Sequence, residues 1–160
     1  MALKKPLVIE GGQISQLQAG DLLDAAVAGG DRVNQTNDEA TPIVIGMAVY
    51  NDANDGVKKA QANAASTQRM LGLVAQTSIA AAATGTIILN GVLVATTAQW
   101  DAVTGDVGGL GFGTFYYLDP STAGFLSDTP PTVVGQYVLQ IGRALSSTEL
   151  MVEIQQSVLL

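Results

Sequence analysis

Short apolar runs alternate along most of this chain with Gly, Pro, Asp, Asn and Thr, most clearly in the last third, from Thr96 to Leu160. Runs separated by turn residues at roughly 8–12-residue intervals are the signature of a sandwich or barrel, not of alternating helices and strands. The stretches Val33–Thr36, Ile43–Tyr50, Val57–Ala62, Met70–Gln76, Phe115–Leu118, Val133–Ile141 and Glu149–Ile154 predict strands, with a shorter one at Phe125-Leu126. Within the long apolar stretch from Ile79 to Ala98, strands Thr86–Leu89 and Val92–Ala95 are expected to join at Asn90-Gly91. That pair supplies the positive φ angles of a type I′ hairpin turn. Asn63–Gln68 fits one helical turn, and the Ala-rich run Ile79–Ala83, ambiguous by periodicity, fits a loop because Thr84-Gly85 follows. In Tyr137–Ile141 and Leu150–Ile154 the alternation is imperfect, as expected where both sheet faces are partly buried. The fold class expected is all-β: a compact antiparallel β-barrel or sandwich with an extended N-terminal arm.

The first thirty or so residues break the pattern. Pro6–Ile9 suits an extended segment, Gly11-Gly12 interrupts it, and Asp21 is placed to cap a short helix ending before Gly29-Gly30. Fewer than about ten residues cannot hold a helix alone in water, so this piece must dock on something or be extended. Residues 1–32 therefore read as an arm and residues 33–160 as the β domain. The arm's apolar side chains, Leu7, Val8, Ile9, Ile14, Leu17, Leu22 and Leu23, are the candidate surface for gripping a partner or neighbouring subunits.

Composition narrows the chemistry. Of 160 residues, 48% are hydrophobic and only 13% charged, and mean hydropathy is +0.31, so a large buried subunit interface is expected. The absence of Cys and His removes disulfides, thiolate chemistry, Cys/His metal sites and His general bases. No catalytic, cofactor-binding or metal-binding residue is assigned. A net charge of −7 opposes binding to a phosphate backbone, which needs clustered Lys and Arg, so nucleic acid is not an expected partner. Met1–Glu10 lacks the apolar core of a signal peptide. The stretch from Ile79 to Ala98 is too interrupted by Gly85, Asn90, Gly91 and threonines to span a membrane.

Four sequence features invite a chemical reading. Asn51–Gly56 (NDANDG) looks like a calcium loop, but alignment on its glycine puts Ala53 at a ligand position and Ala62 where the bidentate Glu belongs, which favours a turn. Gly108–Gly113 (GGLGFG) is spaced GxGxG and is followed by a strand where a phosphate loop needs a helix. Asp101, Asp106, Asp119, Asp128, Glu149 and Glu153 flank turns; paired, two of them have the chemistry of glycoside hydrolysis, and singly they serve turns. Trp100, Tyr116, Tyr117, Phe125 and Tyr137 are either core residues or a glycan-binding platform.

From about Ile43 to Leu160 the chain resembles a module recurrent in tailed-bacteriophage virion surface proteins: capsid decoration (cement) proteins, head fibres and some tail fibres. The likeness lies in Thr96–Gly105 (TTAQWDAVTG), Gly108-Gly109-Leu110, Gly113, Tyr116–Pro120 (YYLDP), Gly124, Pro130-Pro131, Gly135-Gln136-Tyr137 and Ile141–Leu150 (IGRALSSTEL). Leu17–Leu22 (LQAGDL) looks like the Leu-x-x-Gly-Asp-x-Leu segment near the start of such proteins. The resemblance implies a β-barrel or sandwich, usually homotrimeric. With no long shaft or separate tip visible, it points to a non-enzymatic decoration protein on the exterior of the capsid, assembled in the host bacterial cytoplasm. The partners implied are the major capsid protein and further copies of the chain. The alternative is a head-fibre or tail-fibre module binding host-surface glycan through Trp100, Tyr116 or Tyr117; a glycan-cleaving enzyme stands third.

Overall fold

The computed structural model describes residues 30–53 and 55–160, together with the backbone of two strands upstream. Those two, β1 (Leu7–Glu10) and β2 (Gln13–Gln16), form an antiparallel hairpin with Leu7 opposite Gln16 and Ile9 opposite Ile14. The short helix expected after Asp21 lies outside the described residues. Next come β3 (Arg32–Asn37), β4 (Ile43–Val44), β5 (Ala48–Ala53), β6 (Gly56–Lys59), β7 (Met70–Val74), β8 (Ser78–Ile79) and β9 (Thr84–Ile88). They are followed by β10 (Asn90–Val94), α1 (Thr97–Thr104), β11 (Phe115–Leu118), β12 (Leu126–Ser127), β13 (Tyr137–Val138), β14 (Gln140–Ala144), β15 (Glu149–Glu153) and β16 (Val158–Leu159). The all-β class is as expected, with one helix of eight residues among the described ones.

Five strands close into a barrel in the order β3-β6-β5-β7-β9, with β9 returning to β3. Four of the five ladders are antiparallel; β3 and β6 run parallel, pairing Thr36 with Gly56 and Asn37 with Val57. A ring with an odd number of strands cannot alternate direction all the way round, so one parallel pair is unavoidable. Side chains fill so narrow a barrel: Val49, Val57, Val74 and Ile87 are inside, with Ile43 and Ile79, opposite one another on β4 and β8, in the same cluster. Asn37 is fully buried there yet satisfied: its Nδ2 donates to the carbonyls of Thr41 (3.0 Å) and Ile79 (2.9 Å), and its Oδ1 accepts from the Glu39 N–H (2.9 Å). A buried amide is tolerated only with such partners.

The second layer is an antiparallel sheet in the order β10-β15-β14-β11-β12. Its inner face carries Leu93, Leu150, Val152, Ile141, Ala144, Tyr116, Leu118 and Leu126, which share one core with Ala48, Ala60, Leu73 and Ile88 of the barrel region. The barrel wall is thus buried on both sides: Val49 faces one cluster and Ala48 the other, as do Ile87 and Ile88. Two-sided burial, expected instead for Leu150–Ile154, belongs to these strands. In β15 the alternation is clean, with Leu150 and Val152 buried and Met151 and Glu153 exposed.

Four local expectations are corrected. Asn90-Gly91 is not a hairpin turn: both edges of β9 are taken by β3 and β7, so β10 leaves the barrel and pairs with β15, Gly91 lying opposite Val152. The crossing is held by the Leu89 N–H donating to the Asp31 carbonyl (2.8 Å) and by the Asn90 side-chain amide donating to Asp31 Oδ2 (2.5 Å). Ile43–Tyr50 breaks at Gly46, and Val133–Gln136 is a turn leading into β13. Thr96–Gly105 forms α1 in a region read as strands and turns. Its N-terminus is a capping box, in which the Gln99 N–H donates to Thr96 Oγ1 (3.2 Å) and the Thr96 N–H to Gln99 Oε1 (2.8 Å). Gly105, at φ 78, ends the helix in the left-handed conformation.

Trp100 and Val103 are the buried side chains of α1. Trp100 packs on Gly46, where a Cβ would lie 3.0 Å from the indole ring at a φ of +83, and its Nε1 donates to the Thr148 carbonyl (3.1 Å) in the β14–β15 turn. Trp100→Ala should lower the unfolding free energy by about 3–5 kcal/mol, the usual loss for a buried aromatic, seen as a lower urea midpoint by circular dichroism. Gly46→Ala should destabilise by about 1–3 kcal/mol through overpacking and backbone strain, read from fluorescence of the single tryptophan.

Candidate functional site

The groups with chemical potential are occupied in holding the fold. Asp101, on α1, accepts from the backbone N–H of Gly109 at Oδ1 (2.6 Å) and of Gly108 at Oδ2 (3.2 Å). The rest of the glycine loop is also engaged: Leu110 N–H donates to the Ser147 carbonyl, Gly111 N–H to the Tyr116 hydroxyl (3.0 Å) and Gly113 N–H to the Ala144 carbonyl. Phosphate binding needs a row of free N–H groups, and here five donors already have protein acceptors. The loop is a belt tying α1 to the β14–β15 turn.

The carboxylates are dispersed. Asp119 Oδ1 accepts from the N–H groups of Ser121 and Thr122, both at 2.6 Å, which shapes the Pro120–Gly124 turn. Glu149 takes a hydrogen bond from Ser146 Oγ (3.3 Å), Glu39 accepts from the Lys59 N–H (2.9 Å), and Glu153 is exposed. Among the described residues no three acidic side chains converge as a metal-holding group would require. Within Asn51–Gly56 the chain turns as expected, but only between Ala53, which ends β5, and Gly56, which opens β6, with Asp55 at a φ of 57; Lys58 Nζ and Asp52 Oδ2 form an ion pair at 2.6 Å across the two strands. That carboxylate raises the Lys58 pKa by hydrogen bonding and charge attraction.

The five aromatics do not assemble a platform. Trp100 and Tyr116 are buried in the shared core, and Tyr117, Phe125 and Tyr137 are half-buried. The exposed aromatics are Phe112 and Phe115, which the sequence did not single out; on β11 the Phe-Tyr-Tyr-Leu alternation turns Tyr116 and Leu118 inward and leaves Phe115 outside. Arg143 lies over the Phe115 ring at 5.6 Å from its centroid, and its Nε donates to the Gly113 carbonyl (3.0 Å).

Two surfaces remain as candidates. The outer face of the five-stranded sheet carries a cross-strand row, Val92, Met151, Arg143 and Phe115 on β10, β15, β14 and β11, with Glu149 and Glu153 on either side of Met151 along β15. The second lies where β13 pairs with β16 and exposes Val133, Val134, Val158, Leu159 and Leu160. Beside the latter is an open cleft of about 310 Å³ lined by Asp119, Pro130, Pro131 and Gln136 among others. Of the proposed gripping residues, Leu7, Val8, Ile9 and Ile14 lie on the β1–β2 hairpin backbone; Leu17, Leu22 and Leu23 lie outside the described residues.

In searches against protein-family models and curated proteins, no family model and no curated protein matches this chain.

Burial raises the Tyr116 pKa above the usual tyrosine value near 10, only partly offset by the Gly111 N–H that its hydroxyl accepts, and burial raises Tyr50 as well, with the Asp52 charge next. An acid whose folded pKa exceeds its unfolded value favours the folded state fully below the unfolded pKa and loses that contribution as pH rises from there through the folded pKa. Stability should therefore fall above about pH 10. Tyr116→Phe should flatten that fall while costing about 0.5–1.5 kcal/mol at neutral pH from the lost hydrogen bond, measured by urea titration across the pH range.

Proposed function

We propose that this protein is a non-enzymatic capsid decoration protein that binds the outside of a phage head as a homotrimer and stabilises it. The observation that carries the reading is where the residues of the phage resemblance sit. Thr96–Gly105, Gly108–Leu110 and Gly113, one continuous stretch of chain, meet the distant Ser147–Leu150 in one knot around Trp100, held by the Asp101, Thr148 and Ser147 hydrogen bonds. Those residues build a scaffold, and what the described scaffold presents is surface: an apolar tip and an open sheet face. Added apolar burial at capsid junctions stabilises by ~25 cal/mol per Å² before association costs, which suits a shell under internal pressure. The partners on this reading are the major capsid protein and further copies of the chain, on the virion exterior, after assembly in the bacterial cytoplasm.

The fibre alternative changes its residues. With Trp100 and Tyr116 in the core, glycan contact passes to Tyr117 and to the exposed set Phe112, Phe115 and Arg143.

Mass analysis of purified virions should find the chain at copy numbers comparable to the major capsid protein; a handful of copies per particle would overturn the decoration reading and favour the fibre. Residues 33–160 hold two apolar clusters of their own, one around Leu73, Ile88, Leu118 and Ile141 and the other around Val49, Val57 and Ile87. Deletion of residues 2–20 should thus leave the thermal transition of the β domain nearly unchanged while abolishing attachment to undecorated capsids. Wild-type occupancy by the truncated chain would move the attachment surface onto the β domain.

A further inference from the structure

Eleven large apolar side chains are exposed among the described residues, and ten of them fall into two groups of opposite character. On the five-stranded sheet and its adjoining loops, Val94, Phe112, Phe115, Leu145 and Met151 are interleaved with Arg143, Glu149 and Glu153. At the tip, Val133, Val134, Val158, Leu159 and Leu160 stand alone: residues 129–142 and 154–160 contain no charged side chain.

The tip is one continuous surface. β16 pairs with β13, Tyr137 opposite Leu159 and Val138 opposite Val158. Gly135 N–H donates to the Leu160 carbonyl and Leu160 N–H to the Gln136 carbonyl, both at 3.0 Å, which sets Val133 and Val134 beside the last strand. On its far side β13 is anchored, Tyr137 N–H donating to the Ala62 carbonyl (2.9 Å). The outer edge of β16 has no backbone partner among the described residues and none of the Lys, Pro or bulge devices that keep an exposed edge from pairing. A two-stranded ribbon of this length is marginal in water without further packing.

We propose that this tip is the self-association surface, on which copies of this chain meet tip to tip about the assembly axis. The inference rests on the oligomeric part of the proposed function and specifies its interface. Two arguments select a second copy as the occupant. At a net charge of −7 copies of the chain repel, and close approach costs least where a surface carries no charged side chain. The five side chains, 39–86% exposed, together offer on the order of 500 Å² of apolar area, well over half of the ~800 Å² per partner of a standard stable interface.

The experiment is light scattering on the full chain at micromolar concentration, with intact fold checked by Trp100 fluorescence. Wild type should give about three times 16.4 kDa. Val134→Asp and Leu159→Asp should each weaken self-association by about 100-fold or more, the loss expected for a charge in an apolar hot spot. Met151→Asp, on the outer face of the sheet, should leave the mass unchanged. Because the chain has no cysteine, Val134→Cys under mild oxidation should form disulfide-linked pairs on a non-reducing gel, and Phe112→Cys should not. A wild-type monomer would overturn the proposal, as would tip variants that remain fully oligomeric and a Val134→Cys that does not cross-link, or dissociation by Met151→Asp instead. Binding to undecorated capsids, assayed separately, reads the decoration function, so an oligomer with the tip interface that ignores capsids would overturn that function and leave the tip assignment standing.

Discussion

The burial of Trp100 is the constraint on which the rest of the structure depends. An eight-residue helix has no independent stability in water, and α1 stays in place because Trp100 and Val103 are wholly enclosed. The indole touches the barrel corner at Gly46 on one side and donates to Thr148 on the other, the carbonyl that also accepts from the Ala95 N–H where β10 leaves the sheet. One side chain therefore sets the barrel, the helix and the β14–β15 turn against each other. Asp101, one residue on, adds the glycine belt to the same junction.

Sharing a core between barrel and sheet explains a composition that is odd for a chain of this size. Where stretches of β5 and β9 are covered on the inside by the barrel's own cluster and on the outside by the second sheet, no solvent face is left to supply with charge, hence neighbours such as Ala48-Val49 and Ile87-Ile88 buried together. The fully buried Asn37 serves closure there. The remaining apolar excess emerges at the tip and on the outer sheet face, and these surfaces differ in charge, which fits them to different partners.

The same economy governs the loops. Five N–H groups of the glycine loop, the Asp101 and Asp119 carboxylates and the Tyr116 hydroxyl have internal partners. Side chains so engaged rigidify a scaffold, and a scaffold whose loops are locked offers its partners faces and edges. That is the physical content behind the structural role proposed above.

Much was legible in the residues. Runs such as Val33–Thr36, Phe115–Leu118 and Glu149–Glu153 are strands because β-branched and aromatic residues alternate there with outward-facing ones, and the chain turns between Ala53 and Gly56 because Asp55 tolerates a positive φ. Even α1 carried a local signal, the Thr96–Gln99 capping box and the closing Gly105, hidden among strand-like neighbours. What the chain could not announce locally is which strand lies beside which. Asn90-Gly91 has the chemistry of a hairpin, yet β3 and β7 occupy both edges of β9 and send β10 to β15. The parallel β3–β6 pair, the apolar tip formed by two segments some twenty residues apart, and the burial that withdraws Trp100 and Tyr116 from any ligand arise the same way. Local propensity depends on a few adjacent residues and is written in them; strand pairing and burial depend on which edges and faces remain open after distant segments have packed, and only the tertiary structure decides that.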